Sequence, residues 1–259
     1  MSTGTSIEWT DATWNPTTGC TKVSPGCDHC YAAALAKRLK AMGNPRYQKD
    51  GPDGPGFGLT LHADKVDEPK RWRVPRRVFV NSMSDLFHVE VPAEFIEQVF
   101  RTMAETPWHQ FQVLTKRPKR MKQIVSALPA DLRGLGNVWL GVSIENDEYA
   151  WRADYLRMTP ASVRFLSLEP LLGPLPSLNL SSIDWAIVGG ESGLNFRPMD
   201  PAWVRTIRDR CATDGVAFFF KQWGGRTPKA GGRELDGKTL NGLPRELPSH
   251  RNRILVPPG

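Results

Sequence analysis

Three cysteines fall within eleven residues, Cys20, Cys27 and Cys30, spaced C-x6-C-x2-C, and the fourth, Cys211, stands far away. Thiols this close suggest metal chemistry, and four readings compete. A disulfide leaves one of the three over and needs an oxidising compartment, for which MSTGTSIEWT, with no basic segment and no apolar run, carries no address. A closed zinc site needs a fourth ligand. His29, wedged between Cys27 and Cys30, is poorly placed for the same ion, His62 is an alternative, and Cys211 sits on the apolar face of its helix and reads as core. Unligated cysteines would be unusual packing residues in a loop. An iron–sulfur cluster fits the spacing best. Three thiolates on a [4Fe–4S] cube leave one iron open to a small molecule. S-adenosylmethionine chelates such an iron through its amino and carboxylate groups, and an electron from the cluster then breaks the sulfonium bond to give a 5′-deoxyadenosyl radical.

The surrounding elements must position this loop. Apolar, β-rich runs occur at residues 59–61, 78–80, 111–114, 138–142, 164–166, 185–188 and 217–220. Several are nearly continuous in Val, Ile, Phe and Leu, as in strands covered on both faces. Helical patterns lie between them. Tyr31, Leu35, Leu39 and Met42 share a face, with Gly43 as a stop. Pro92 opens a helix with Phe95, Ile96, Val99, Phe100 and Met103 inward; Pro118 sits in the first turn of one carrying Met121, Ile124 and Val125. Asn146 can cap a helix running to about Met158. Asp200 and Pro201 read as an N-cap and a first-turn proline, before Trp203, Ile207 and Cys211 at four-residue spacing and a stop at Gly215. With an irregular first strand at 12–14 this makes up to eight β–α units. The expected fold class is α/β: a (β/α) barrel, complete or partial and TIM-barrel-like. A doubly wound open sheet is the alternative. The barrel is expected to span residues 1–223. Residues 224–259, rich in Gly, Pro and Arg, read as an appendage with a hairpin turn at Asp236 and Gly237.

The carboxyl ends of parallel strands carry the site in such folds, and here they turn polar abruptly. The runs end at His62, at Asn81, Ser82, Ser84 and Asp85, at Thr115, Lys116 and Arg117, at Ser143 and Glu145, at Ser167 and Glu169, at Gly189, Gly190 and Glu191, and at Lys221 and Gln222. Gly189 and Gly190 allow close backbone approach to a ligand. Glu145 or Glu191 is expected to contact S-adenosylmethionine, and Glu169 to face substrate or a base such as Lys116 or Lys221. The alternative is that all three glutamates form internal ion pairs at the barrel mouth.

The blocks IEWTDATWNPTTGC, CDHCYA, FVNSMSDLFH, FQVLTKRP, VWLGVSIEN, SLEPLLG, VGGESG and FFFKQWG, in this order over nearly the whole chain, resemble the phage-borne three-Cys-motif family, which is similar to radical SAM proteins. The resemblance implies a [4Fe–4S] cluster on Cys20, Cys27 and Cys30, S-adenosylmethionine as cofactor and a separate electron donor. Radical SAM proteins usually space the cysteines C-x3-C-x2-C, with an aromatic residue just before the last; here the first gap is six and Tyr31 follows. Their Gly-Gly-Glu usually follows the second strand and binds the amino group of the cofactor, whereas here it follows the seventh run counted. By strand position, His62 or Asn81 and Ser82 lie nearer the methionine end, and the segment 141–145, with Ser143 and Glu145, lies where such proteins contact adenine or ribose.

Two segments are strongly basic. Residues 70–77 hold Arg71, Arg73, Arg76 and Arg77 beside a tryptophan, and residues 116–122 begin with Lys116 and Arg117. Basic groups near an aromatic suit phosphate contact and base stacking; a solvated surface is the plainer reading. The chain carries 34 Lys and Arg against 27 Asp and Glu, a balance that suits a polyanionic partner. A nucleic acid or nucleotide is the expected substrate, with repair or modification as the setting. Apolar runs reach only about five residues, far short of the ~20 of a membrane helix, so no membrane partner and a cytoplasmic location are expected. Two rivals stand: a zinc- or cluster-stabilised nucleic-acid-binding protein without turnover, and a metal-free hydrolase using Asp85, Glu145, Glu169 and Glu191, for which no nucleophile–histidine arrangement is evident.

Overall fold

The computed structural model describes residue 5 and residues 7–244. Residues 245–259 of the expected appendage lie outside the described residues, as do residues 1–4 and 6 at the start of the expected barrel. In chain order the elements are β1 (Ala12–Trp14), β2 (Thr17–Thr18), α1 (Tyr31–Ala41), β3 (Thr60–Leu61), α2 (Ala63–Val66), β4 (Arg77–Val80), α3 (Ala93–Glu105), β5 (Gln110–Thr115) and α4 (Pro118–Ala127). They continue with β6 (Val138–Ser143), α5 (Arg152–Arg157), β7 (Val163–Leu168), β8 (Trp185–Gly189), α6 (Pro201–Asp214), β9 (Ala217–Gln222), β10 (Glu234–Leu235) and β11 (Lys238–Thr239).

Seven strands pair in parallel in the order β1-β4-β5-β6-β7-β8-β9, with β1 and β9 at the edges. This is the partial form of the barrel. The run at 59–61 is not a strand of this sheet: β3 pairs antiparallel with β2 in a separate ribbon. The reason lies at Gly19, whose φ of +83° belongs to the left-handed region and where any side chain would strike the Gly58 backbone. The two segments are pinned together there. Seven strands rather than eight follow, so the strand before Gly-Gly-Glu is sixth in the sheet and the one before Ser-Ile-Glu is fourth.

One face of the sheet packs on the helices through Val78, Val80, Val113, Leu140, Leu166, Val188 and Phe220. The other carries Phe79, Trp139, Phe165, Trp185, Ile187 and Phe219, capped by Trp9. Gly141 gives the Phe165 ring its room, since any side chain there would overlap it. Truncating one such buried ring to Ala costs about 3–5 kcal/mol, so this aromatic face fixes the spacing of the strands whose ends bear the polar groups.

Local signals act as the residues dictate. The Asp200 side chain accepts from Ala202 N at 2.8 Å, Pro201 fills the first turn, and Gly215 closes α6 at φ +69°. The expected helix from Asn146 opens instead as a 3-10 turn, Asp147–Tyr149, and becomes α-helical only over α5. Asp236 and Gly237, at φ +52° and +73°, turn the β10–β11 hairpin, which Arg205 and Arg208 of α6 grip through Asp236. No helix among the described residues is long and apolar enough to cross a membrane.

Candidate functional site

A cavity of about 890 Å³ opens at the carboxyl ends of the sheet strands, and Cys20, Cys27 and Cys30 all lie on its wall. The volume is within the range of small-molecule sites. The loop bearing the thiols has little structure of its own: a 3-10 turn, Pro25–Cys27, and Cys30 at the N-cap of α1. Strand-end charges hold it in place.

Three braces do this. After β5, Arg117 Nη2 donates to the Thr21 carbonyl at 3.0 Å and to Thr21 Oγ1 at 2.7 Å, and His88 Nε2 meets the same hydroxyl at 2.9 Å. After β6, Glu145 is fully buried; it accepts from Arg152 Nη1 at 2.8 Å and from the Ser24 hydroxyl. Arg152 also donates to the Ser143 carbonyl at 2.8 Å and lies 4.3 Å from the centre of the Tyr149 ring. Burial pushes this guanidinium down, and Glu145 opposes the shift. A side chain at Gly26 would collide with Glu145, so the loop passes directly against it. After β8, Glu191 accepts from Arg197 Nη2 at 2.5 Å, Nε at 3.0 Å and the backbone N at 2.8 Å, and meets His29 Nδ1 at 3.0 Å. Arg197 reaches on to the Pro25 carbonyl at 2.8 Å.

Burial pushes the Glu191 carboxyl up, but the hydrogen bonds from Arg197 and His29 outweigh it and hold the group at about 2. The folded-state value lies below the ordinary 4.5, so the latch contributes its full stability above about pH 4.5 and loses it as pH falls toward 2. Urea unfolding at pH 6 and pH 3 is expected to show a larger loss for the native chain than for Glu191→Gln. Equal losses would remove Glu191 from the pH response.

Several candidates share the cavity. Asn81, Ser82, Ser143, Glu169, Gly190 and Glu191 line it, with Lys116 and Arg117. Glu169 is met by Lys221. Asn81 adopts φ +62°, a strained conformation for a residue with a side chain. Its amide donates to Thr17 and Ser84, while its Oδ1 is buried without a partner. The structure places other candidates elsewhere. Glu145 and Gly189 do not line the cavity. Nor does His62, whose Nε2 meets Thr18 Oγ1 at 2.9 Å. Gly190 lacks a side chain because one would strike the Trp223 carbonyl, a packing requirement of the chain itself.

The four arginines of the first basic segment are not brought to the cavity. Arg77 begins β4 and Arg76 precedes it, so Arg76 and Arg77 lie at the amino edge of the sheet. Arg77 binds Asp11, Arg76 lies 5.4 Å over Trp72, and Arg71 ends a 3-10 turn, Glu68–Arg71, before Arg73 leads toward β4. Asp85 is saturated by Thr115, Lys116 N and Phe87 N. Of the four carboxylates of the hydrolase reading, Glu145 and Glu191 are bound by arginines, Asp85 by Thr115 and backbone N–H groups, and Glu169 by Lys221. Sequence reasoning missed Ser24, His88, Arg152 and Arg197; Arg197 lies in a loop six residues past Glu191, with no pattern to mark it.

Among the described residues, no group of three or more His, Cys, Asp or Glu side chains is gathered so as to hold a metal ion. A single zinc ion needs its ligands to meet at one point, which the three thiols do not. A cubic cluster offers each thiolate its own iron, and all three thiols lie on the wall of one cavity. Burial, then the Asp85 charge, push the Cys20 thiol up to about 12, against the pull of Arg117; a coordinating metal removes such a proton outright. Arg117 Nη1 is buried without a partner, a cationic donor close enough to influence Cys20 and suited to an anionic sulfur site.

No curated protein matches the chain. Among solved structures it is similar to a single-mutant form of spore photoproduct lyase, at 13% identity and TM-score 0.48 over 81% of this chain and 63% of that one. It is also similar to the same lyase complexed with dinucleoside spore photoproduct, at 12% and 0.46 over 79% and 62%. A double mutant with bound AdoMet and dinucleoside spore photoproduct matches at 13% and 0.45 over 78% and 61%. The chain thus spans less than two thirds of the length of these structures. Residues 4–244 match one family model, and the chain belongs to that family, the proteins of unknown function DUF5131.

Proposed function

We propose that this protein is a radical S-adenosylmethionine enzyme, with a [4Fe–4S] cluster on Cys20, Cys27 and Cys30, acting in nucleic-acid repair or modification. The observation that carries the reading is the placement of three thiols on one cavity at the carboxyl edge of the sheet, beside the unpartnered Nη1 of Arg117. The resemblance to the phage-borne three-Cys-motif family supports it. When bound, the cluster supplies the electron that cleaves the cofactor's sulfonium bond and so generates the 5′-deoxyadenosyl radical. The chain's own residues bind and orient. Asn81 Oδ1 is a free acceptor suited to the ammonium group of the methionine moiety, and Ser143 and Ser167 face the cavity from neighbouring strands, where ribose hydroxyls can be met. Glu169, paired with Lys221, keeps a carboxylate at the wall without leaving a bare charge in a partly buried site. Residues 1–223 form the catalytic unit in this reading, and the appendage adds Thr227, Pro228 and Lys229 to the cavity wall. An external electron donor is required.

Anaerobic purification tests this directly. The protein is expected to be brown, with about four iron and four sulfide per chain, and to release methionine and 5′-deoxyadenosine when reduced with S-adenosylmethionine. Colourless protein with one zinc sinks the reading, and an intact cluster with no cofactor cleavage favours a binding protein without turnover.

A further inference from the structure

The second basic segment leads out of the cavity along a helix. Lys116 lies on the cavity wall, and Lys119 and Lys122 follow on α4. Residues three apart share a helix face, so Lys119 and Lys122 form a short row beginning where Lys116 leaves off. None of these three ammonium groups has a hydrogen-bonded or ion-paired partner among the described residues. Elsewhere basic side chains are mostly taken: Lys70 by Asp67 and Glu105, Arg46 by Asp64, Arg101 by Glu97. The acid of the facing helix, Asp154, is engaged by Arg157.

An aromatic platform stands beside the row. Lys119 Nζ lies 5.2 Å from the Trp151 ring centre and 5.7 Å from that of Tyr155. Tyr155 meets Trp151 edge to face at 5.7 Å, which holds the indole upright while Trp151 stays 38% exposed. A large aromatic left exposed and flanked by unpaired cations suits a polyanion that carries flat rings. Phosphates supply the charge, and a base supplies the ring. Lys119 and Lys122 lie about 4.5 Å apart along the helix axis at 1.5 Å per residue, and with Lys116 at the cavity mouth the three cations offer more than one point of contact to a phosphate backbone. A base paired inside a duplex has no face to offer an indole, whereas a single strand does.

We propose that the α4–α5 rim binds a single-stranded polynucleotide, its phosphates along Lys116, Lys119 and Lys122 and a base stacked on Trp151, feeding the adjacent nucleotide into the cavity. This names the substrate path for the proposed enzyme and rests on that reading for its purpose, but the binding itself needs neither cluster nor cofactor. The test is fluorescence anisotropy with a labelled oligothymidylate and the full chain, over a salt titration. Lys119→Gln/Lys122→Gln is expected to weaken binding at least tenfold and to flatten the slope of log affinity against log salt by about 1.4, at ~0.7 per lost phosphate contact. Trp151→Ala is expected to weaken binding about tenfold without changing the slope, the signature of lost stacking rather than lost charge. Arg71→Gln/Arg73→Gln, away from the cavity, is expected to change neither. Unchanged affinity and slope in the lysine variant overturn the proposal, as does tighter binding of the matching duplex that is insensitive to Trp151→Ala. Thermal melts of each variant separate lost contact from lost fold. An iron-free protein that still binds through these residues would sink the radical reading and leave this surface standing.

Discussion

Chains carrying Cys20→Ala, Cys27→Ala or Cys30→Ala are expected to purify with almost no iron, while Cys211→Ala keeps the full complement. The three loop thiols lie on one wall, and the proposed cube, losing one of its three protein corners, would be left with two irons exposed. Cys20 and Cys30 pack at the margin of a small apolar cluster around Ala36, Phe57 and Met83. Cys211 is fully buried on α6, packed with Val204 and Ile207, and burial above all pushes its thiol up to about 12. It behaves as a small apolar residue, and its loss is expected to cost about 0.5–3 kcal/mol, with no effect on colour. Iron analysis and urea unfolding on all four variants read both halves at once. Iron retained by Cys20→Ala, or lost from Cys211→Ala, contradicts the assignment.

Arg152→Met is expected to be among the most damaging single changes in the protein. Arg152 and Glu145 are an ion pair with side-chain exposures of 2% and 0%. Burying such a pair gains little over an apolar pair of the same shape, but removing one member strands the other charge and costs about 3–5 kcal/mol. At ~2–4 °C per kcal/mol for a chain of this size the melting temperature falls by roughly 6–20 °C. The double variant Arg152→Met/Glu145→Leu is expected to recover part of that loss, because no bare charge remains. The double variant still lacks the acceptor for Ser24, so iron loading stays poor when stability returns. A melting temperature within about 2 °C of native for Arg152→Met, less than one kcal/mol on that scale, rules out the pair as a structural brace.

Much of the sheet was legible because a strand buried on both faces has to be nearly continuous in apolar residues. Val78, Phe79 and Val80 divide between the helix side and the aromatic side, as a strand covered on both faces requires. Leu59, Thr60 and Leu61 carry the same local signal, yet β3 pairs antiparallel with β2 outside the main sheet, since a run of three records β character but not its partner. The tethering by Gly19 and Gly58 is a contact between distant backbones, invisible to periodicity. Strand-end charge was equally visible, and its use was not. Glu145 and Glu191 end strands in the way cofactor ligands do, yet each is taken by an arginine further along the chain, Arg152 or Arg197. A carboxylate shows in sequence; whether its counter-charge is a ligand or a neighbour depends on loops of irregular path. The basic segment at 70–77 carries a positional signal of its own: Arg76 precedes β4 and Arg77 opens it, and in a parallel sheet the start of a strand lies at the edge away from the site.

The bracing of the cysteine loop also sets an order in time. Thr21 waits for Arg117, Ser24 for Glu145, and Pro25 for Arg197, which is 172 residues further along the chain. During synthesis at ~5–20 residues per second, the thiols emerge early and pass many seconds before their last support exists. Through that interval they are ordinary reactive cysteines on an unfinished chain. Iron delivered then finds no fixed geometry, and an oxidant finds three neighbouring thiols. If these thiols hold the proposed cluster, its assembly belongs after the sixth sheet strand has docked, and expression conditions that slow elongation or raise oxygen should lower iron occupancy without changing the amount of folded protein.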